Sequence, residues 1–137
     1  DFRLPYLADY CELSGERLKL HRKLWEHATI FQVFRERVLS KTPTPKVLGF
    51  GVGNEPLPRV FAALGARVTA TDAPSDMPGV AEKWTETGQH ADLQVPFAAI
   101  GDGILRTEPV DMNSIPRHLA DGSFDMTWSA GSLEHIG

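Results

Sequence analysis

An α/β fold, with a mainly parallel sheet flanked by helices, is predicted by three features of this sequence. From residue 46 onward, short apolar runs alternate with helical patterns. A glycine-rich turn through Gly49, Gly51 and Gly53 joins the first apolar run to a helix. An acid, Asp72, closes the second run about twenty residues after the glycines, which is where ribose hydroxyls are held in nucleotide-type sites. Together they describe a Rossmann-like arrangement. Right-handed crossovers would then put a ligand crevice at the carboxyl ends of the strands.

The elements follow in chain order. Residues 1–13 read as an irregular lead-in anchored by Phe2, Leu4, Tyr6, Leu7 and Tyr10. Ser14 can cap a helix, with Glu16 in its first turn. Leu20, Leu24, Ala28, Phe31, Phe34 and Val38 recur at spacings of three and four, one apolar stripe on a long amphipathic helix. "SKTPTPK" ends that helix, because proline cannot continue it. Val47–Phe50 is a buried strand, Pro58–Leu64 a helix closed by Gly65, and Arg67–Thr71 a second strand. A helix is expected after Pro78, stopped by Gly88, and residues 91–103 are ambiguous. "ILRTEPVDM" is a third strand, interrupted or bulged near Pro109 and ending on Asp111. "IPRHLADGS" is a short helix and a turn, and Phe124–Ser129 is a fourth strand. The expected organisation is a lead-in and cap helix over residues 1–45 and a cofactor-binding domain over 46–137.

Composition narrows the function. The chain has 137 residues, 42% of them hydrophobic, which suits one domain with an ordinary core. Its net charge of −4 argues against a nucleic-acid partner, which usually needs a basic face. No apolar run is long enough to span a membrane. Cys11 stands alone, so no disulfide framework exists and a reducing, cytoplasmic setting is the expectation. His21, His27, His90 and His118 have no paired ligand spacing, so no metal site is expected.

Two cofactor classes use a glycine turn followed by an acid. A dinucleotide such as NAD rests its pyrophosphate on the helix N-terminus and needs a third glycine three residues after the second. Counted from Gly51, that place is Asn54; counted from Gly53, it is Pro56. Pro56 and Pro58 also delete amide donors there, and Glu55 adds negative charge. S-adenosylmethionine carries a sulfonium and an ammonium but no phosphate, and it tolerates such a turn. The plainer alternatives are a tight turn without a ligand and, for Asp72, a solvated loop acid.

"VLGFGVG" with Asp72, "VDM" at 110–112 and "GSFDMTWSAGSLEHIG" at 122–137 resemble the class I S-adenosylmethionine-dependent methyltransferases, over roughly residues 46–137. By that resemblance Gly51 and Gly53 line the methionine end of the cofactor and Asp72 holds the ribose. Asp111 and Met112 flank the adenine, and Ser129 and Ala130 form the floor beside the sulfonium. The implied function is methyl transfer to a small-molecule or sugar-like acceptor. His135 is the expected general base if the acceptor is a hydroxyl; the alternative is a packing histidine. The rival readings are a non-catalytic cofactor-binding module, an NAD-linked oxidoreductase half-domain and a purely structural fragment.

Three departures stand out. The family places an acid where Gly49 stands and often a glycine where Glu55 stands. The two changes can be linked, with Glu55 taking over contact with the cofactor's ammonium. The family's domain also has seven strands, whereas only four are read here, so a fragment with an incomplete sheet is expected. For the N-terminal helix, the bland reading is a cover for the sheet. The sharper one is a lid in which Arg22 or Lys23 meets the cofactor's carboxylate.

Overall fold

The computed structural model describes residues 4–19, 21–74 and 104–133. Two helices lead: α1 (Pro5–Ser14) and α2 (Arg22–Val33), the latter continued by a π-helical turn, Phe34–Leu39. Then come β1 (Lys46–Gly49), α3 (Leu57–Ala63), β2 (Arg67–Asp72), β3 (Ile104–Pro109), a 3-10 turn (Arg117–Leu119) and β4 (Met126–Trp128). The sheet order is β3-β2-β1-β4 and every pair is parallel. The order reverses at β1, so the crevice expected for such a sheet lies between the ends of β1 and β4.

The N-terminus departs from the expectation. The lead-in is helical, and Ser14 is the last residue of α1 rather than the cap of the next helix. Pro5 starts the helix where its missing N–H costs nothing. Leu7 and Tyr10, three apart, are both buried. Gly15 (φ 73°) ends it in the left-handed conformation, so the long helix read from Ser14 is two helices with a break between them. α2 starts later, with the His21 ring accepting a bond from the Lys23 amide at 3.2 Å.

The apolar stripe is buried from Leu24 onward, and Leu20 lies outside the described residues. Leu24, Ala28, Phe31, Phe34 and Val38 are buried in one cluster with Leu7 and Tyr10 of α1, Leu57, Val60 and Phe61 of α3, and Val47, Val68, Ala70 and Trp128 of the sheet. Tyr10 leans on Phe31 with ring centres 5.8 Å apart, and Phe34 stacks on Phe61 at 4.1 Å. On the outside, Arg35 pairs with Asp9 at 2.5 Å, tying α2's extension to α1. All three helices therefore cover one face of the sheet. Leu48, one residue after Val47, points to the opposite face and joins Val110 and Leu119 in a second, smaller cluster.

The strands are short because their C-terminal ends turn into loops. β1 stops at Gly49 and β4 at Trp128, one residue earlier each than the sequence suggests. β3 ends at Pro109 without reaching Asp111; the Val110 amide donates instead to the Asp72 carbonyl at 2.8 Å. The helix expected after Pro78 lies outside the described residues. Among the described residues no helix is long and apolar enough to cross a membrane, and no group of histidine, cysteine and acidic side chains could hold a metal ion.

Candidate functional site

The ends of β1, β2, β3 and β4 are stitched together by backbone and short side chains. The Phe50 amide donates to the Trp128 carbonyl (2.9 Å), and the Val52 amide to the Thr71 carbonyl (3.1 Å). The buried Thr71 hydroxyl donates to the Gly49 carbonyl at 2.8 Å. This fixes the glycine turn against both neighbouring strands. Gly51 has φ 60°, a region that L side chains rarely adopt. A Cβ on Gly51 would lie 2.3 Å from the Ser132 hydroxyl oxygen and 3.6 Å from Met112 Cε. The ends of β1, β3 and β4 thus converge over this turn.

Most of the expected site residues lie at the strand ends around it. Asp72 is buried at the end of β2, with one carboxylate oxygen accepting the Ala73 amide at 2.9 Å. Asp111 and Met112 follow β3, and Asp111 accepts from the Asn113 amide at 2.8 Å, which holds the loop in a tight turn. Ser129 and Ala130 follow β4. The hydroxyls of Ser129 and Ser132 are 2.9 Å apart, and that of Ser132 also donates to the Phe50 and Gly51 carbonyls (3.3 and 3.2 Å). Gly53 (φ 45°) completes the turn. His135 and Glu134 lie outside the described residues.

Gly49 and Glu55 have a different explanation from the one the sequence suggested. A Cβ on Gly49 would stand 2.4 Å from Trp128 Cζ2 and 2.7 Å from Val52 Cγ1. The Trp128 indole occupies the space that a side chain at residue 49 would need, so an acid is sterically excluded. That indole needs an acceptor for its N–H, and Glu55 supplies it: Nε1 donates to Oε1 at 2.5 Å. The other carboxylate oxygen lies 3.7 Å from His27 Nε2. Glu55 is therefore turned inward, only 8% exposed. Burial pushes its carboxyl up to about 8, against a weaker opposing pull from Trp128 and Lys23. His27 is buried as well, and that burial pushes its pKa below the usual value. Burial thus disfavours the charged form of both partners in the Glu55–His27 contact. The expectation is that Glu55 offers a charge to an ammonium; in the structure the indole takes one of its oxygens, and burial disfavours its charged form.

Above this pair sit the N-terminal helices. The Tyr10 hydroxyl and His27 Nδ1 are buried without a hydrogen bond of good geometry, and the two rings meet edge-on at 6.4 Å. Burial, then the neighbouring Glu16, pushes the Tyr10 hydroxyl far above its ordinary range. Arg22 points away, paired with Glu26 at 3.3 Å and largely exposed. Lys23 reaches inward instead, and its ammonium donates to the Ala130 carbonyl at 3.3 Å.

Sequence reasoning missed Ser132, the Trp128–Glu55 bond and the approach of His27. Only the bare glycine at residue 49 signalled the second of these, and it did not name the partner. The start of α3 also bears on the ligand. Pro56 precedes it, Pro58 lies in its first turn, and no side chain caps it. An anion site needs free amides there.

No protein-family model matches the chain, and no curated protein matches it significantly in sequence. Its fold resembles that of magnesium protoporphyrin IX methyltransferase from Synechocystis PCC 6803. With the crystal structure of that enzyme containing bound SAM, the TM-score is 0.55 at 16% identity, covering 99% of this chain and 61% of that one. With its SAH-bound structure, the TM-score is 0.48 at 19% identity, covering 98% and 57%. The chain spans about three fifths of the length of that methyltransferase. Among the described residues, the parallel β3-β2-β1-β4 sheet and its flanking helices thus share the Rossmann-like fold of that methyltransferase.

Proposed function

We propose that this chain binds S-adenosylmethionine and forms the cofactor-holding part of a methyltransferase that acts on a small-molecule or sugar-like acceptor. The observation that carries the reading is Asp72: a buried carboxylate at the end of β2, one strand from a glycine turn that leads into a helix unsuited to phosphate. A carboxylate there accepts two ribose hydroxyls, while the proline-bounded start of α3 offers a pyrophosphate few amides. The donor set fits the cofactor. Gly51 and Gly53 give the turn the positive φ it needs and line the methionine end, Asp72 takes the ribose, and Asp111 with Met112 takes the adenine. Ser129 and Ala130 line the side toward β4.

The cofactor, when bound, supplies an electrophilic methyl group. The chain's own task is orientation, since an in-line displacement depends on placing the acceptor close to that carbon. For a hydroxyl acceptor, His135 is the proposed base. The net charge of −4 supports an acceptor other than nucleic acid.

Calorimetry on the full chain tests the cofactor. S-adenosylmethionine and S-adenosylhomocysteine are expected to bind and NAD is not. At a hundred times its dissociation constant a true ligand raises stability by about 2.7 kcal/mol. Tight NAD binding with no response to the sulfonium compound refutes the reading. Transfer of a tritiated methyl group to candidate acceptors then separates an enzyme from a binding module.

A further inference from the structure

Three observations around the glycine turn concern the charge of whatever lies there. First, residue 49 cannot carry an acid, because Trp128 fills the space. Second, Glu55 gives its carboxylate to the Trp128 indole and lies buried beside His27. The two acids that could meet an ammonium at this end of the crevice are thus absent or engaged. Third, the same end has a cation. Lys23, on the first turn of α2, extends to the Ala130 carbonyl, and its ammonium is 2.9 Å from where a Gly131 Cβ would be. Gly131 (φ 78°) leaves that approach open. The next residue, Ser132, packs on the Gly51 turn. No described carboxylate lies within ion-pair distance of Lys23; its ammonium donates to the Ala130 carbonyl at 3.3 Å, long for an ammonium donor, and acts on the buried Glu55 only from further off.

We propose that Lys23 binds the carboxylate of the amino-acid end of the cofactor, so that this site recognises that end by its anionic pole rather than by its ammonium. The proposal rests on the S-adenosylmethionine reading above and deepens it. The chemistry is simple. The amino-acid end of the ligand is a zwitterion, and a site must favour one pole or both. With the acids withdrawn, the favourable charged contact left is ammonium to carboxylate. A lysine brought in by α2 also makes the helix pair part of the ligand site rather than only a cover for the sheet. Arg22, paired with Glu26 and pointing outward, is the neighbour that does not take part.

The test uses calorimetry on the full chain with four ligands. They are S-adenosylhomocysteine, its analogue lacking the carboxylate, its analogue lacking the amino group, and 5′-methylthioadenosine, which lacks the whole amino-acid end. The wild type should lose on the order of tenfold or more in affinity when the carboxylate is removed, and little when the amine is removed. Lys23→Met should bind S-adenosylhomocysteine more weakly by a similar factor, stop discriminating against the carboxylate-free analogue, and bind 5′-methylthioadenosine unchanged. Lys23→Arg should restore part of the loss. The proposal is overturned if Lys23→Met binds S-adenosylhomocysteine like the wild type. It is also overturned if the variant loses 5′-methylthioadenosine equally, which marks a structural role. A wild type that binds none of the four ligands refutes the cofactor reading itself.

Discussion

Gly49→Ala is the substitution whose outcome the structure determines most tightly. The new Cβ would stand 2.4 Å from Trp128 Cζ2, 2.8 Å from Cε2 and 2.7 Å from Val52 Cγ1. Carbon atoms rest comfortably at about 3.5–4.0 Å, so the indole has to retreat by about 1 Å or more. It has nowhere to go. It packs perpendicular to the Phe61 ring, with centres 5.0 Å apart at 87°, and its N–H is held by Glu55. Overpacking of this kind costs about 1–3 kcal/mol. Pulling the N–H away strands a buried acceptor at about 1–3 kcal/mol more. The expected loss is about 2–6 kcal/mol, read by urea unfolding followed by circular dichroism. Gly49→Asp, which installs the acid that the family resemblance implies, should fail for the same steric reason. The decisive comparison repeats Gly49→Ala in a Trp128→Leu background. There the clash with the indole is gone and only the one with Val52 remains, so the two changes should couple by about 0.5–3 kcal/mol. An equal cost in both backgrounds, or a cost below about 0.5 kcal/mol in the wild type, refutes the steric account.

Other outcomes follow from the same geometry. Asp72→Asn keeps an oxygen for the Ala73 amide but removes the charge; affinity for S-adenosylhomocysteine should fall by about tenfold or more with little change in melting temperature. Glu55 keeps its proton up to about pH 8 when folded but releases it near its ordinary value of 4.5 when unfolded. The folded state therefore holds the extra proton between those values, and stability falls as pH rises through that window and levels off above it. Glu55→Gln should remove this slope. His27 acts in the opposite sense below its usual 6.5 and touches Glu55, so the difference in melting temperature between the two proteins across pH 5–8 reports the Glu55–His27 pair; parallel curves would count against a raised Glu55 pKa. Phe61→Ala, which empties the site between Phe34 and Trp128, should cost about 3–5 kcal/mol, and Phe61→Leu less than about 1.5 kcal/mol, by the same unfolding assay.

The sequence by itself determined the succession β1, α3, β2 from residue 46, the apolar stripe from Leu24 through Val38, the glycine turn and the acid at the end of β2. These are local patterns. A buried strand must be apolar, a helix face must repeat at three and four, and a tight turn needs glycine, whatever packs around them. The break at Gly15 was legible in principle, since the Leu7–Tyr10 spacing and Pro5 mark a helix before it, but ten residues carry a weak periodic signal. The meaning of Gly49 and Glu55 was decided only by the tertiary structure. Trp128 comes from a strand 79 residues further along the chain than Gly49 and meets it solely because β4 pairs with β1. Its indole fills the space of one missing side chain and takes the carboxylate of another residue as its acceptor. Lys23 likewise reaches Ala130 across 107 residues, because α2 packs over the end of the sheet. Charge, burial and available space are properties of what surrounds a residue. A sequence names the residue, but only the fold brings its surroundings to it.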